Sequence, residues 1–366
     1  MTKKQWLKIA AFCAIFLVVL TGLTYCLRTS GSVKDRFVGF YAEKKNTIDV
    51  IAIGSSSVFP YYSFPQMYGE KGIAGYPLST NLQRPAAQIY LAREALRRQK
   101  PELMIFEVRM YIGREWDMIQ NMAYTRGVTD NLRYSVNRIR AINGLVTDEV
   151  RETNWIQDVD ETAYYFDILK YHSNWKSLFL RSQLRTVFFA YPEPLKGFFG
   201  SNELGPAELT DFSAETGEEP LEDIQQGHLE ELMAFLKENG QDALFIVSPY
   251  EITQQDAQKY NSIERLVTEQ GFGFLDLNDH YEEMGLTGDD FSDYGTHVNV
   301  CGAEKVTAFV EEWLKENYDL PDRRGDAAYA SYDAAYENWL AYRDENEALV
   351  QERIRTGDFA PVVTEE

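Results

Sequence analysis

The sequence predicts an α/β protein built on a doubly wound, mainly parallel sheet flanked by helices. Three observations carry that expectation. Short apolar runs at 50–54, 102–108, 242–247 and 273–277, each closed by turn or charged residues, read as strands buried on both faces. An amphipathic pattern at 84–98 lies between the first two, so strand, helix and strand follow one another within about sixty residues, as in a βαβ unit. Further helical patterns at 228–239 and 261–270 precede the last two runs.

In chain order, Lys3, Lys4 and Lys8 precede an uncharged stretch at 9–27, about the length needed to cross a bilayer. Residues 1–28 are therefore expected to be a cytoplasmic stub and an uncleaved signal anchor, with the basic flank inside and the bulk of the chain extracytoplasmic. A cleaved signal peptide is the alternative, but its apolar core is shorter and ends in a small-x-small site. Tyr25 is a poor residue to cut behind, and it also argues against lipid attachment at Cys26. Residues 29–47, polar and basic-leaning, read as a juxtamembrane linker before the main domain at 48–320.

Within that domain, 61–77 is rich in Pro, Gly and Tyr and reads as loop. In 84–98, Ile89, Ala92 and Leu96 share one face, and Lys100-Pro101 ends the helix. Residues 111–227, rich in aromatics with weak periodicity, read as a helical insertion acting as lid or flank, with a helical patch at 163–180. At 228–239, Leu229, Leu232, Met233 and Leu236 align and Gly240 terminates. A last helix of the domain runs to residue 318. Beyond Pro321 an acidic tail, 321–366, sets Tyr329, Tyr332, Tyr336 and Trp339 at helical spacing. Such a stripe either docks a helix on the domain or presents a surface to sugar rings or a partner.

Net charge is −21 over 366 residues, which excludes nucleic acid as a partner because its phosphates would be repelled. Cys13 and Cys26 fall in the apolar N-terminal stretch and leave Cys301 alone, so no disulfide forms within the rest of the chain. There are no paired histidines, His280 has no ligand spacing, and Gly-rich phosphate loops are absent; neither metal nor cofactor is expected.

The first strand runs into Gly54-Ser55-Ser56-Ser57, where open α/β sheets place their ligand sites. Far downstream, Asp293 and His297 precede the domain's last helix. Serine acyl transfer needs a nucleophile, a base, an acid to orient the base, and donors for an oxyanion. The chain offers Ser56, His297 and Asp293 in those first three roles, and first and last loops of a doubly wound sheet can meet at one edge.

These blocks resemble the SGNH (GDSL-like) esterase and acyltransferase superfamily, whose fold is flavodoxin-like. The closer resemblance is to its extracytoplasmic branch, which includes teichoic-acid D-alanine transfer and alginate O-acetylation proteins. Gly54-Ser55-Ser56 stands in the Gly-Asp-Ser block, implying Ser56 as nucleophile. His297-Val298-Asn299-Val300-Cys301-Gly302-Ala303 matches the block around the family histidine. Asp293 lies four residues before His297 where the family has three, which leaves Asp290 as the reserve acid. The Gly-x-Asn-Asp block is not recognisable. The resemblance spans 49–109 and 226–318.

By resemblance, Gly75 is the candidate oxyanion glycine beside the Ser56 N–H. Asn81 and Gln83 could donate to the oxyanion. Glu107 and Arg109 hold a privileged strand end, which an ordinary salt bridge between them explains equally well. His172 is either a lid residue near the site or a structural one. The implied function is acyl-ester chemistry, as O-acyltransferase or esterase, on a cell-envelope glycan or other acyl-carrying substrate, with a membrane-bound O-acyltransferase as the partner of the transferase version. The alternative is a non-catalytic binding or scaffold protein of an envelope-modification complex that keeps the fold.

Overall fold

The computed structural model describes residues 1–153 and 161–362, so 154–160 of the expected insertion and 363–366 of the expected tail lie outside the described residues. An apolar helix, α1 (Lys3–Leu27), leads the chain and is long enough to cross a membrane. It is followed by α2 (Ser32–Ala42), β1 (Val50–Ile53), α3 (Phe64–Lys71), β2 (Gly75–Pro77), α4 (Pro85–Arg98) and β3 (Leu103–Glu107). After a long excursion come α5 (Asp223–Glu238), β4 (Ala243–Val247), α6 (Gln254–Glu269), β5 (Gly273–Asp276), α7 (Val300–Asn317) and α8 (Ala330–Thr356). The five strands form one parallel sheet in the order β2-β1-β3-β4-β5.

Side chains alternate across this sheet as strand geometry dictates. Ile51, Ile53, Met104, Phe106, Phe245 and Val247 point into one core with residues of α2, α4, α5 and α6. Val50, Ala52, Leu103, Ile105, Leu244 and Ile246 point into the other, with α3, α7 and α8. The crossovers through α3 and α4 lie on opposite faces and lead to opposite neighbours of β1. The strand order therefore reverses at β1, and a crevice opens beyond its carboxyl end.

Three expectations need correction. Residues 29–47 are not a linker: α2 buries Phe37, Val38, Phe40 and Tyr41, and its Lys34 and Arg36 are buried too, donating to Arg28 O and to the carbonyls of Ser79 and Gly197. Their basic side chains imitate a solvated segment. Residues 61–77 hold α3, capped by Ser63 and ended by left-handed Gly72, and also β2. β2 has no apolar run and is strand only through its pairing with β1. The patch at 163–180 is not one helix but a chain of short turns, Thr162–Tyr165, Ile168–Tyr171 and His172–Ser177.

Among the described residues, the excursion between β3 and α5 carries a series of short helices up to Leu184, and 185–222 is irregular chain. Its Val136–Leu145 helix packs on α4, while Ile168–Tyr171, His172–Ser177 and Arg181–Leu184 pack on α1. The C-terminal stripe docks α8: Tyr332 and Trp339 are fully buried, Trp339 meets Phe198 edge-on at 4.9 Å, and Tyr332 donates to Gly75 O.

Candidate active site

The turn after β1 separates three chemically equal serines by environment. Ser55 and Ser57 are buried, their hydroxyls 2.7 Å apart, and Ser57 Oγ donates to Glu107 Oε2 at 3.0 Å. The Ser57 carbonyl accepts from Ser248 Oγ at 2.6 Å, which is itself 2.6 Å from Tyr62 Oη. Ser56, between them, is half-buried and faces the crevice. Gly54 is required here, since a Cβ would stand 2.7 Å from the Glu107 and Val58 side chains.

His297 arrives from the opposite side. Its Nε2 lies 2.8 Å from Ser56 Oγ, and its Nδ1 lies 2.6 Å from Asp293 Oδ2. Asp293 Oδ1 also accepts from the His297 backbone N–H at 2.6 Å. The four-residue spacing works because Tyr294 (φ 58) and Gly295 (φ 95) both turn left-handed, looping the extra residue out. Asp290, the reserve acid, serves elsewhere: it binds Lys305 Nζ at 2.7 Å and accepts from the Thr287 backbone N–H.

The residues after His297 have local reasons. Asn299 caps α7, accepting from the Cys301 and Gly302 N–H groups, and donates to Asp289 O at 2.8 Å. Gly302 lets the helix start pass the Asp290 carbonyl, which a Cβ would meet at 2.5 Å. Just before His297, the Thr296 carbonyl accepts from Tyr61 Oη at 2.9 Å and from Arg109 Nη1 at 2.7 Å. The Arg109 guanidinium in turn lies over the Tyr250 ring, 3.8 Å from its centroid.

Glu107 and Arg109 thus serve the two halves of the relay separately, and no ion pair joins them among the described residues. Glu107 accepts from Ser57 and from the Arg109 backbone N–H, and burial pushes its carboxyl up to about 7 against the pull of Arg109.

Gly75 is not an oxyanion donor. It pairs with Val50 at the start of β1, the strand end remote from Ser56, and lacks a Cβ because Phe64 would lie 2.0 Å away. The chain leaving β2 reaches the crevice later, at Asn81, which lines it together with Ser56 and His297. Gln83 is fully buried and outside that lining. His172 is exposed, its Nδ1 2.8 Å from Leu169 O in a turn beside α1, and it is not part of the crevice.

The crevice holds about 700 Å³. Its lining combines Phe59, Phe199 and Tyr342 with Asn81, Asn202 and Asn346, and the Asn202 amide donates to Asn346 Oδ1 at 2.8 Å. Arg36 braces one wall, its guanidinium 3.8 Å from the Phe59 centroid. Sequence reasoning missed Phe59, Phe199, Asn202, Tyr342 and Asn346. No local signal marks them: 199–202 belong to irregular chain, and 342 and 346 come from α8. A scan against protein-family models finds none that matches the chain, and a search of curated proteins finds no match either.

Proposed function

We propose that the chain is an SGNH-type serine acyl-ester enzyme held at a membrane by α1, an O-acyltransferase in preference to an esterase, acting on a cell-envelope polysaccharide outside the membrane. The observation that carries this reading is the hydrogen-bonded relay from Ser56 Oγ through His297 to Asp293. In the reaction Ser56 Oγ attacks an ester carbonyl while its proton passes to His297 Nε2. Asp293 holds the Nδ1–H tautomer and stabilises the imidazolium. The backbone N–H of Ser56 and the Asn81 amide are the candidate oxyanion donors. Collapse expels the alcohol with the proton from His297 and leaves an acyl-Ser56 ester. A sugar hydroxyl, or water in the esterase version, then attacks that ester, again giving its proton to His297, and Ser56 leaves reprotonated.

The aromatic and amide walls suit a glycan, since rings cover the apolar faces of sugars and amides meet their hydroxyls. Transferase is preferred because α1 would keep the site beside membrane-borne acyl donors, such as those supplied by a membrane-bound O-acyltransferase. The test is labelling by a fluorophosphonate probe and turnover of p-nitrophenyl acetate by the full chain in membranes. Both should fall roughly 10³-fold or more in Ser56→Ala and in His297→Ala. Envelope acylation that is unchanged in cells carrying Ser56→Ala would instead mark a non-catalytic scaffold.

A further inference from the structure

The surface around the exit of α1 is apolar where a water-facing surface would not be. Phe166, Trp175, Phe179, Leu180, Leu184 and Phe188 are all exposed, Phe179 at 80% and Phe188 at 76%. They sit on or beside the short turns that pack on α1. Next to them a groove of about 560 Å³ is lined by Leu17 and Leu20 of α1 on one side and by Ile139, Phe166 and Ile168 on the other. Contiguous apolar patches of this kind on a soluble surface mark an interaction site.

The geometry of α1 sets the depth of this patch. A hydrocarbon core of ~30 Å takes about 20 residues of helix. Counted from Ile9, the residue after Lys8, that length ends near Arg28. Yet the domain already clasps α1 from Gly22 onward: Val187 fills the space beside Gly22, Thr186 Oγ1 donates to Tyr25 O, and Asn174 donates to Leu27 O. The last two turns of the span therefore lie at bilayer depth and inside the protein at once. Whatever surrounds them lies at bilayer depth too.

Charge agrees. Residues 161–191 carry four basic side chains, Lys170, Lys176, Arg181 and Arg185, against Glu161 and Asp167, in a chain of net charge −21. Asp167 is buried and bound to Arg28 at 2.7 Å, so the outward balance of the collar is basic. Apolar side chains interleaved with Lys and Arg, with an exposed Trp, are the pattern of a segment lying in a headgroup region.

We propose that residues 161–191, with the Val136–Leu145 helix, form a collar sunk into the membrane leaflet nearest the domain, taking lipid acyl chains against Phe166, Phe179 and Phe188 and anionic headgroups against Lys176 and Arg181. The collar rests on the reading of α1 as a membrane span, and the test separates the two. Nitroxide labels are placed one at a time by Val18→Cys in α1, Phe179→Cys in the collar and Glu264→Cys on α6, in a full-length chain carrying Cys13→Ala, Cys26→Ala and Cys301→Ala. The protein is reconstituted in phosphatidylcholine–phosphatidylglycerol vesicles, and collisions with oxygen and with a water-soluble nickel chelate are measured.

The expected result is loss of nickel collisions at 179 as at 18, with both retained at 264. Nickel access at 179 equal to that at 264, while 18 remains protected, overturns the collar and leaves the span intact. Nickel access at 18 removes the span itself. Protection at 179 from both reagents that is relieved by diluting the protein in lipid assigns the surface to a second copy and also overturns the proposal.

Discussion

Asp293 binds His297 twice, its two carboxylate oxygens accepting separately from the backbone N–H and from ring Nδ1, each at 2.6 Å. One contact fixes where the residue sits and the other fixes which way its ring faces. Asp293→Asn keeps an oxygen for the first while its amide offers N–H to Nδ1, favouring the wrong tautomer. Turnover of p-nitrophenyl acetate should fall by a factor on the order of 10³ to 10⁴ in kcat, with KM little changed. Asp290→Asn, which only disturbs the Lys305 pair and the Thr287 cap, should leave kcat of the folded fraction near wild type.

In the proposed reaction Arg109 acts through Thr296, as a positioning residue. Arg109→Met removes the donor to the Thr296 carbonyl and the cover over Tyr250, leaving Tyr61 as the remaining side-chain donor there. The expected outcome is a drop in kcat of about tenfold with KM held, and a further drop on adding Tyr61→Phe, as looser registry of His297 predicts. Steady-state kinetics on the two variants and their combination measure it.

Glu107 predicts a pH dependence of stability. Its folded value is raised from 4.5 to about 7 by burial. Between those values the folded protein keeps a proton that the unfolded chain releases, so stability declines as pH rises through that window. Glu107→Gln removes this contribution. Wild type should lose about 3 kcal/mol more than the variant between pH 4.5 and pH 8. Urea unfolding midpoints across that range give the slope. Asp276, also raised to about 7 by burial, contributes equally to both proteins and cancels.

Trp339 couples the C-terminal helix to the crevice. It packs on Phe198, adjacent to Phe199 of the crevice wall, and stacks with Tyr342, which lines the crevice directly. Trp339→Ala should cost about 3 to 5 kcal/mol and raise KM for a bulky ester more than for p-nitrophenyl acetate. Thermal unfolding and the two KM values test both halves.

Four of the five strands were legible as short apolar stretches; β1, β3 and β4 are buried throughout, the mark of strands covered on both faces, while β5 lies at the sheet edge with Leu275 buried. β2 was not, since Gly75, Tyr76 and Pro77 become strand only by lying against β1. α2 was hidden by Lys34 and Arg36, whose charges look solvated but end on buried carbonyls. Ser56 and His297 were visible through the blocks around them. The turn at Tyr294 and Gly295 that lets Asp293 reach was not, because its meaning lies in backbone angles. Tyr342 follows Ser56 by 286 residues in the sequence, and nothing short of the packing of α8 could bring the two to one crevice.

The absence of slack between α1 and the domain has a consequence for reach. Arg28 is locked to Asp167, and Arg36, eight residues on, already braces the crevice wall at Phe59. At most ~28 Å of chain separates those two points. With α1 in a bilayer, the site is a fixed-height tool and not a tool on a leash. On the proposed function, such a mount favours an acyl donor held at the membrane surface over an outlying strand of polymer, which must come down to the site.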